Sequence, residues 1–294
     1  MKVWMFPGQG SQRVGMGKTL YERYDWVRDL YHKAEEILGL PLREVSFEGP
    51  EERLTQTLFA QPALFVYEAA LAQHLEEQGE SPDLVMGHSL GEFVALYVAG
   101  IWDFETAIKI VGERARLMQK ASEEAAGTMA AVIGLTPEEI ETVLEEVPGT
   151  VVVANLNSPE QVVISGEIPA VREAMDRLKA QGARRVIPLR VSAAFHSPLM
   201  EPAAKAFENV LENAVYHEPR VPVICNATAK ATRDLNEICE ALKQQLRSPV
   251  RWVESLQEAY RWGGRVFVEV GPGRVLQGLA RRTLKDIDVQ GVEE

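Results

Sequence analysis

The stretch Leu84-Val-Met-Gly-His-Ser-Leu-Gly91 places a serine between two glycines, where an apolar run meets a helical pattern. Leu84 to Met86 predicts a short central strand, and Leu90 to Gly100 has apolar residues at helical spacing. A strand, a G-x-S-x-G turn and a helix in this order are typical of a nucleophile elbow, in which a sharp turn exposes the serine oxygen. The sequence therefore predicts Ser89 as a nucleophile, with an ordinary tight turn as the alternative.

The helix predicted after this turn has a chemical use of its own. Its first N–H groups have no partner within the helix, and the helix dipole favours negative charge at that end. The N–H of Leu90 directly follows the predicted nucleophile. We therefore expect Leu90 to supply one half of an oxyanion hole.

A serine hydroxyl needs a partner that accepts its proton. The candidates are the five histidines of the chain, which are His32, His74, His88, His196 and His217. The first two lie in charged helical patterns, and His88 is expected to pack or hydrogen-bond beneath the turn. His196 lies in a small-residue loop, Ser192 to Ser197, after a predicted strand, and such loops often carry catalytic groups. His196 is thus the first candidate, with His217 or a purely structural histidine as alternatives.

No aspartate stands out as the group that would orient His196. An ordinary α/β-hydrolase has its acid between the serine and a histidine near the C-terminus, whereas His196 lies far from it. A backbone or side-chain carbonyl could replace the acid, and the segment Gln245 to Trp252 is a candidate source. This arrangement weakens the ordinary hydrolase interpretation.

Predicted strands alternate with predicted helices along the chain, which indicates an α/β protein with a parallel sheet. Residues 126–191 have the order β-α-β-β-α-β of a ferredoxin-like unit, with Thr136-Pro-Glu-Glu139 as a capping box. We expect this α+β subdomain to be inserted into a larger domain of residues 1–125 and 192–294. The remaining predicted elements are strands at 2–6, 128–134, 151–154, 161–165, 185–191, 221–225 and 265–270, and helices at 60–77, 104–122, 168–181, 198–214 and 235–246.

Composition excludes several classes of protein. The 294 residues are 46% hydrophobic and carry a net charge of -12, which disfavours a disordered chain and nucleic-acid binding over the whole surface. The longest strongly apolar run, Phe93 to Trp102, is half of the roughly 20 residues that a membrane helix needs. The first residues do not resemble a signal peptide. We expect a soluble, cytoplasmic protein, without a metal-ligand cluster or a dinucleotide fingerprint.

One segment of the chain is basic, although the chain as a whole carries a negative net charge. Residues 243–285 contain nine Lys or Arg and three Glu. Such a basic flank could attract anionic partners while the whole molecule stays acidic. Ordinary helix-surface charge is the alternative interpretation.

Five motifs then occur in a fixed order: Phe6-Pro-Gly-Gln-Gly-Ser-Gln12, Gly87-His-Ser-Leu-Gly-Glu92, Arg114-Ala-Arg-Leu-Met-Gln119, Ala194-Phe-His-Ser197 and Val268-Glu-Val-Gly-Pro-Gly273. Together they resemble malonyl-CoA:acyl carrier protein transacylases and the related trans-acting acyltransferases of polyketide synthases. The resemblance spans residues 3–282. It implies a large α/β-hydrolase-like domain with a parallel sheet and an inserted ferredoxin-like subdomain, in agreement with the order of the predicted elements.

The resemblance also implies roles for individual residues. Ser89 would be the acylated nucleophile and His196 its base. The backbone N–H groups of Gln9 and Leu90 would form the oxyanion hole. The main-chain carbonyl of Gln245 would orient the histidine, so that no aspartate is required.

Substrate selection is implied by three further positions. The family's matching arginine binds the free carboxylate of the malonyl group, and a guanidinium suits this role because its planar fork pairs with both carboxylate oxygens. Arg114 would therefore be the selective residue, with a surface salt bridge as the alternative. Phe195 resembles the malonyl-selective form of its motif, with core packing as the alternative. Gln61 matches a position near the substrate. Ser248-Pro-Val250 departs from the family's Asn-Pro-Val, which leaves a role for residue 248 open.

The function that the resemblance implies is transfer of a malonyl group from malonyl-CoA to the phosphopantetheine thiol of an acyl carrier protein, through an ester on Ser89. No cofactor and no metal are expected, because the thioester is already activated. The expected partners are malonyl-CoA and the carrier protein, without nucleic acid or membrane, and the chain is expected to be a monomer. An acyl-thioester hydrolase using the same serine and a non-catalytic carrier-docking module remain alternatives. The sequence does not distinguish fatty-acid from polyketide synthesis.

Overall fold

The computed structural model describes residues 1–191 and 193–294. Ser192, the first residue of the loop predicted before His196, lies outside the described residues. Six strands form the larger sheet, in the spatial order β10 (Asp288–Val292), β9 (Val266–Val270), β1 (Lys2–Phe6), β2 (Leu84–Gly87), β7 (Val223–Ile224) and β8 (Ala231–Thr232). All neighbours are parallel except β7 and β8. The predicted α/β class with a parallel sheet is confirmed.

The central strand β1 explains why helices cover both faces of this sheet. Trp4 and Phe6 belong to one apolar core, whereas Val3 and Met5 belong to another. Successive side chains of a strand point to opposite faces, so a strand that is apolar throughout must be buried on both sides. The helices outside residues 127–188 are α1 (Lys18–Arg23), α2 (Asp25–Leu38), α3 (Leu42–Glu48), α4 (Glu51–Leu54), α5 (Thr57–Glu77), α6 (Leu90–Val98), α7 (Phe104–Glu124), α10 (Glu201–Glu212), α11 (Leu235–Gln245), α12 (Trp252–Arg261) and α13 (Val275–Thr283).

A second, antiparallel sheet lies within residues 127–188. Its strands have the order β4 (Val151–Ser158), β5 (Gln161–Glu167), β3 (Gly127–Ile133) and β6 (Arg185–Pro188), and it carries helices α8 (Pro137–Leu144) and α9 (Ile168–Ala180). The predicted capping box at the start of α8 is confirmed. The N–H of Glu139 donates to Thr136 Oγ1, and the N–H of Thr136 donates to Glu139 Oε2.

Some predicted elements are shorter than expected. The strand predicted at 185–191 ends at Pro188, and the strand predicted at 221–225 is limited to Val223 and Ile224, which follow Pro222. Proline has no N–H for a strand ladder, which accounts for both limits. The helix predicted at 198–214 begins with a 3₁₀ turn, and its α-helical part starts at Glu201. No helix among the described residues is both long and apolar enough to cross a bilayer.

Candidate active site

Ser89 occupies a sharp turn between β2 and α6. Its φ of 52° and ψ of -104° lie in a region that side chains rarely adopt. A Cβ on Gly87 would come within 2.0 Å of the Gly91 backbone, and a Cβ on Gly91 would come within 2.0 Å of the Phe6 carbonyl oxygen. The G-x-S-x-G pattern is therefore a steric requirement, because only glycine fits on either side of the serine.

Asn226 holds this turn from the next strand. Its Oδ1 accepts a hydrogen bond from the Ser89 N–H at 2.8 Å, and its Nδ2 donates to the Gly87 carbonyl at 2.7 Å. Both groups would otherwise be unpaired in a region where strand pairing has ended. The residue follows β7 closely, so the short strand delivers an amide that locks the turn. Nothing in the local sequence around Asn226 indicated this contact.

The structure brings Ser89 and His196 together. Ser89 Oγ lies 2.8 Å from Nε2 of the imidazole. On the other side of the ring, Nδ1 lies 2.9 Å from the main-chain oxygen of Gln245 and 3.2 Å from that of Ser248. Two acceptors at Nδ1 keep the proton on that nitrogen, which leaves Nε2 free to accept the serine proton. Because Ser248 contributes its backbone, the departure from Asn at this position does not alter the contact.

The pKa of His196 is lowered from 6.5 to about 3, first by burial and then by the positive charge of Arg114. The imidazole is therefore neutral at physiological pH. A neutral imidazole is the form that accepts a proton. The structure therefore holds the imidazole unprotonated beside the Ser89 hydroxyl, which is the state that a general base requires.

The other four histidines make no hydrogen bond with Ser89 among the described residues. His32 and His217 are exposed, and His74 packs its ring on Tyr24. The ring of His88 contacts Trp252, and its Nε2 lies 2.8 Å from Asn157 Oδ1. His217, the alternative base, thus lies outside the site.

Arg114 projects from α7 into the interior and is fully buried. Its Nη2 donates to Ser89 Oγ at 3.1 Å and to Gln245 Oε1 at 2.9 Å, and its Nη1 donates to Gln61 Oε1 at 2.7 Å. The guanidinium also lies over the Phe93 ring, 5.0 Å from its centroid. Burial lowers the pKa of Arg114 to about 9. No described carboxylate forms a salt bridge with it, and only the charge of Glu92, which does not contact it, opposes the effect of burial. The guanidinium is therefore held by neutral acceptors, and an anion would stabilise it.

The loop after β1 lies against the turn that carries Ser89. A Cβ on Gly8 would come within 2.3 Å of the His88 carbonyl oxygen, so the chain passes the turn at close contact. The next residue, Gln9, donates from its side chain to Thr57 Oγ1 at 3.1 Å. The N–H of Leu90 is the first of α6 and has no intrahelical partner. The loop that contains Gln9 therefore runs beside the turn that carries Ser89 and the start of α6.

A cavity of about 670 Å³ opens onto these residues. Its polar lining includes Ser89, His196, Gln9 and Gln61, and Phe195 forms part of its apolar wall. Other apolar wall residues come from α7, from the antiparallel sheet and from α13: Met118, Met129, Val163, Leu276 and Leu279. Arg114 lies behind this lining and reaches it through Ser89 and Gln61.

A family model described as an acyl transferase domain matches residues 3–294. The chain belongs to this acyl transferase family. Its curated relatives include the malonyl CoA-acyl carrier protein transacylase of Bacillus subtilis, which is 42% identical over 99% of this chain and 94% of that protein. The Escherichia coli K12 protein of the same name is 40% identical over 99% of this chain and 96% of that protein. The chain is therefore similar to enzymes that transfer acyl groups.

Solved structures agree with the sequence relatives. An acyl carrier protein S-malonyltransferase from Vibrio cholerae superposes with a TM-score of 0.95 at 41% identity, covering 100% of this chain and 97% of that one. A malonyl-transacylase solved in complex with a type II polyketide synthase acyl-carrier protein gives 0.96 at 40% identity, covering 100% and 96%. The acyltransferase fold is thus shared over the full described length.

The described residues contain no cluster of side chains that could bind a metal ion. No group of three or more His, Cys, Asp or Glu side chains there is placed to hold an ion. The polar lining of the cavity comprises hydroxyl, imidazole and amide side chains together with the charged Glu51, Glu52 and Arg190.

Proposed function

We propose that the chain transfers a malonyl group from malonyl-CoA to the phosphopantetheine thiol of an acyl carrier protein, through an ester on Ser89. The observation that carries this proposal is the hydrogen-bonded chain from His196 through Ser89 to Arg114. It joins a proton acceptor, a nucleophile and a cation for a carboxylate at one point. A further relative from Bacillus subtilis, 38% identical, carries the name of a polyketide biosynthesis malonyl CoA-acyl carrier protein transacylase.

In the first half-reaction Ser89 Oγ attacks the thioester carbonyl carbon while His196 Nε2 accepts the hydroxyl proton. The carbonyl oxygen becomes an oxyanion, which the N–H groups of Gln9 and Leu90 stabilise. When the intermediate collapses, the C–S bond breaks and the CoA sulfur takes the proton from His196. The products are free CoA and a malonyl ester.

The second half-reaction repeats the same steps with another thiol. His196 accepts the proton of the phosphopantetheine thiol, and the sulfur attacks the ester carbonyl. The C–O bond to Ser89 breaks, and Oγ recovers a proton from His196 Nε2. The carrier leaves as a malonyl thioester, and the enzyme returns to its starting form without a cofactor or metal.

Arg114 selects the acyl group in this proposal. A buried guanidinium with only neutral acceptors gains most from a substrate that brings a carboxylate. An acetyl group would leave the cation unpaired. Gln61, which accepts from Nη1, would keep the fork directed at the substrate. Phe195, in the cavity wall beside the histidine, would fill the space that a methyl branch on the acyl group needs.

Carrier and CoA are both anionic, and the proposal places their approach on the side of α13. Four of the nine basic residues at 243–285 form ion pairs with described carboxylates: Lys243, Arg247, Arg251 and Arg261. The remaining five have no such pair: Arg265, Arg274, Arg281, Arg282 and Lys285. Leu276 and Leu279 of the same helix line the cavity, so cations on α13 would attract a partner towards its mouth.

The finer description of the fold is part of the same proposal. Residues 126–191 would be a ferredoxin-like subdomain, which the strand order β4-β5-β3-β6 and the element order β-α-β-β-α-β support. Residues 1–125 and 192–294 would be an α/β-hydrolase-like domain, which the parallel sheet and the serine turn support. The cavity would lie between the two.

The test is intact-mass measurement of the protein after incubation with malonyl-CoA, methylmalonyl-CoA or acetyl-CoA, followed by holo acyl carrier protein. We expect a malonyl adduct that disappears when the carrier is added and reappears on the carrier. Ser89→Ala should carry no adduct. Rapid release of free malonate without carrier would favour the hydrolase alternative, and an adduct on Ser89→Ala would refute the assigned nucleophile.

A further inference from the structure

Gln245 makes hydrogen bonds with three functional residues of the site. Its main-chain oxygen accepts from His196 Nδ1, and its side-chain Oε1 accepts from Arg114 Nη2. Its Nε2 donates to the main-chain oxygen of Ser89 at 3.0 Å. One residue therefore contacts the base, the cation and the nucleophile. The orientation of its amide decides whether Arg114 finds an acceptor or a donor.

Glu92 fixes that orientation. It is fully buried in the first turn of α6, three residues after Ser89. Its Oε2 accepts from Gln245 Nε2 at 2.8 Å and from the N–H of Asn226 at 3.1 Å. If the Gln245 amide turned over, Oε1 would face the Glu92 oxygen and Nε2 would face the Arg114 guanidinium. Both contacts would then be unfavourable, because an acceptor would meet an acceptor and a donor would meet a donor.

From these contacts we infer that Glu92 is a positioning residue of the acyl-transfer site, which holds Gln245 so that His196 and Arg114 are both correctly placed. Glu92 acts through Gln245, because it makes no hydrogen bond with His196 or Arg114. The inference rests on the proposed function.

The second oxygen of Glu92, Oε1, shows whether the positioning role needs a negative charge or only a hydrogen-bond acceptor. Among the described residues no N–H or O–H donates to Oε1, and the Cys225 thiol lies beside the carboxyl group. A proton can therefore sit on Oε1 without removing the acceptor at Oε2. Burial raises the pKa of Glu92 to about 7, so both forms are accessible near neutral pH. What the role requires is an acceptor at Oε2, which a glutamine could also supply.

The experiment compares the rate at which malonyl-CoA acylates Ser89 in four variants of the full chain, by rapid quench and intact mass. Glu92→Met keeps the volume and removes the acceptor, and we expect a loss of about tenfold or more. Glu92→Gln keeps an acceptor and should stay within about threefold of the unmodified protein. Gln245→Met removes the amide but keeps the main-chain oxygen. The fourth variant combines Glu92→Met with Gln245→Met.

The combined variant is the decisive measurement. If Glu92 acts through the Gln245 amide, Glu92→Met should add no further loss in the Gln245→Met background. Losses that multiply would overturn the inference, as would an unchanged rate in folded Glu92→Met. A purely structural role would not be rescued by the glutamine variant in this way.

A matched control is available in Glu68. This carboxylate is also fully buried, but both of its oxygens lack hydrogen-bond partners among the described residues. Burial raises the pKa of Glu68 well above its usual range, and Glu68→Met removes a buried carboxyl group that makes no hydrogen bond to the site, so the acylation rate should not change. If Glu92→Met fails to fold, Glu92→Asp replaces it. The shorter side chain withdraws the acceptor, and we expect a loss of about fivefold or more, whereas an unchanged rate would overturn the inference.

Failure of the inference differs from failure of the proposed function. If the unmodified protein gains no malonyl adduct, the proposed function is wrong and the inference falls with it. If the unmodified protein is acylated and folded Glu92→Met is acylated equally fast, only the positioning role is wrong.

Discussion

Arg114 and Ser89 are directly joined, because Nη2 of the guanidinium donates a hydrogen bond to Oγ of the serine at 3.1 Å. The oxygen that would be acylated and the cation that would select the acyl group therefore share one contact. A substrate carboxylate and the reacting carbonyl must then bind within a few atoms of each other. This matches the small size of a malonyl group, whose carboxylate lies two bonds from its carbonyl carbon.

Replacing Arg114 by alanine should separate substrates with and without a carboxylate. We expect malonyl loading to fall by about a hundredfold, because a hydrogen bond to a charged group contributes up to about 3 kcal/mol. Acetyl loading should change by less than about tenfold, since acetyl offers no partner to the cation. The rates of adduct formation from the two donors measure this difference.

Arg116→Ala is the matched control for that comparison. Arg116 lies on the same helix, is exposed and pairs with Glu113. Its loss should leave both loading rates unchanged. Equal losses for malonyl and acetyl in Arg114→Ala would contradict the carboxylate role.

The strained backbone of Ser89 predicts a gain in stability when the nucleophile becomes glycine. Ser89→Gly should be more stable than Ser89→Ala by about 1 kcal/mol, because relief of a positive φ outweighs the greater flexibility of glycine in the unfolded chain. Both variants lack the hydroxyl, so they differ only in the Cβ methyl group of alanine, which restricts the backbone. Denaturant unfolding of the two proteins measures the difference, and equal midpoints would argue against strain at this turn.

Two glycines inside helices should respond in opposite ways to alanine. Gly91→Ala places a methyl group 2.0 Å from the Phe6 carbonyl oxygen, so it should destabilise the protein by about 3 kcal/mol or more and abolish acylation. Gly278→Ala meets only the end of the Arg282 side chain at 3.5 Å and should gain up to about 1 kcal/mol from helix propensity. Thermal unfolding compares them. A tolerated Gly91→Ala would contradict the close approach of the loop after β1.

The lowered pKa of His196 predicts a loss of stability in acid. The unfolded chain binds a proton at this residue below its ordinary pKa of 6.5, whereas the folded protein resists protonation down to about 3. The contribution of neutral His196 to the free energy of unfolding is therefore complete above pH 6.5. It decreases as the pH falls from 6.5 towards 3. At pH 5 the His196 contribution alone should be about 2 kcal/mol smaller than at neutral pH, while the raised pKa of Glu92 acts in the opposite direction.

Unfolding by urea near neutral pH and near pH 5 tests this linkage. His196→Gln should show a smaller decrease between the two conditions than the unmodified protein. His217→Gln, at an exposed position, is the control and should behave as the unmodified protein does. Parallel decreases in all three proteins would show that His196 is not the group that resists protonation.

The elements that sequence predicted well are those whose signal is local. The serine turn depends on two glycines within five residues, and its steric cause lies partly within the same segment. Helix α2 was indicated only by the charged helical pattern around His32 and received no bounds, although Val27, Tyr31 and Ala34 are its buried residues at helical spacing. Strand β10 gave no usable signal, because its edge position leaves it without buried residues or alternation.

The site was predictable in part and for a different reason. Ser89, His196 and Arg114 lie on separate elements, and only a resemblance across five motifs related them. The structure brings His196 and Arg114 each within hydrogen-bond distance of Ser89 Oγ. Asn226 and the side chain of Gln245 could not be identified, since their contacts depend on strand and helix placement over more than a hundred residues. Glu92 was inside a quoted motif, but nothing in the sequence showed which way its carboxylate faces.

The imidazole of His196 is oriented by two carbonyl oxygens of the polypeptide backbone. Every amino acid supplies such an oxygen, so no codon change at either position can delete it. Substitution of side chains in this segment, as at position 248, therefore leaves the orientation of the His196 imidazole unchanged. The family resemblance pointed to the oxygen of Gln245, and the coordinates add that of Ser248, which residue identities do not indicate.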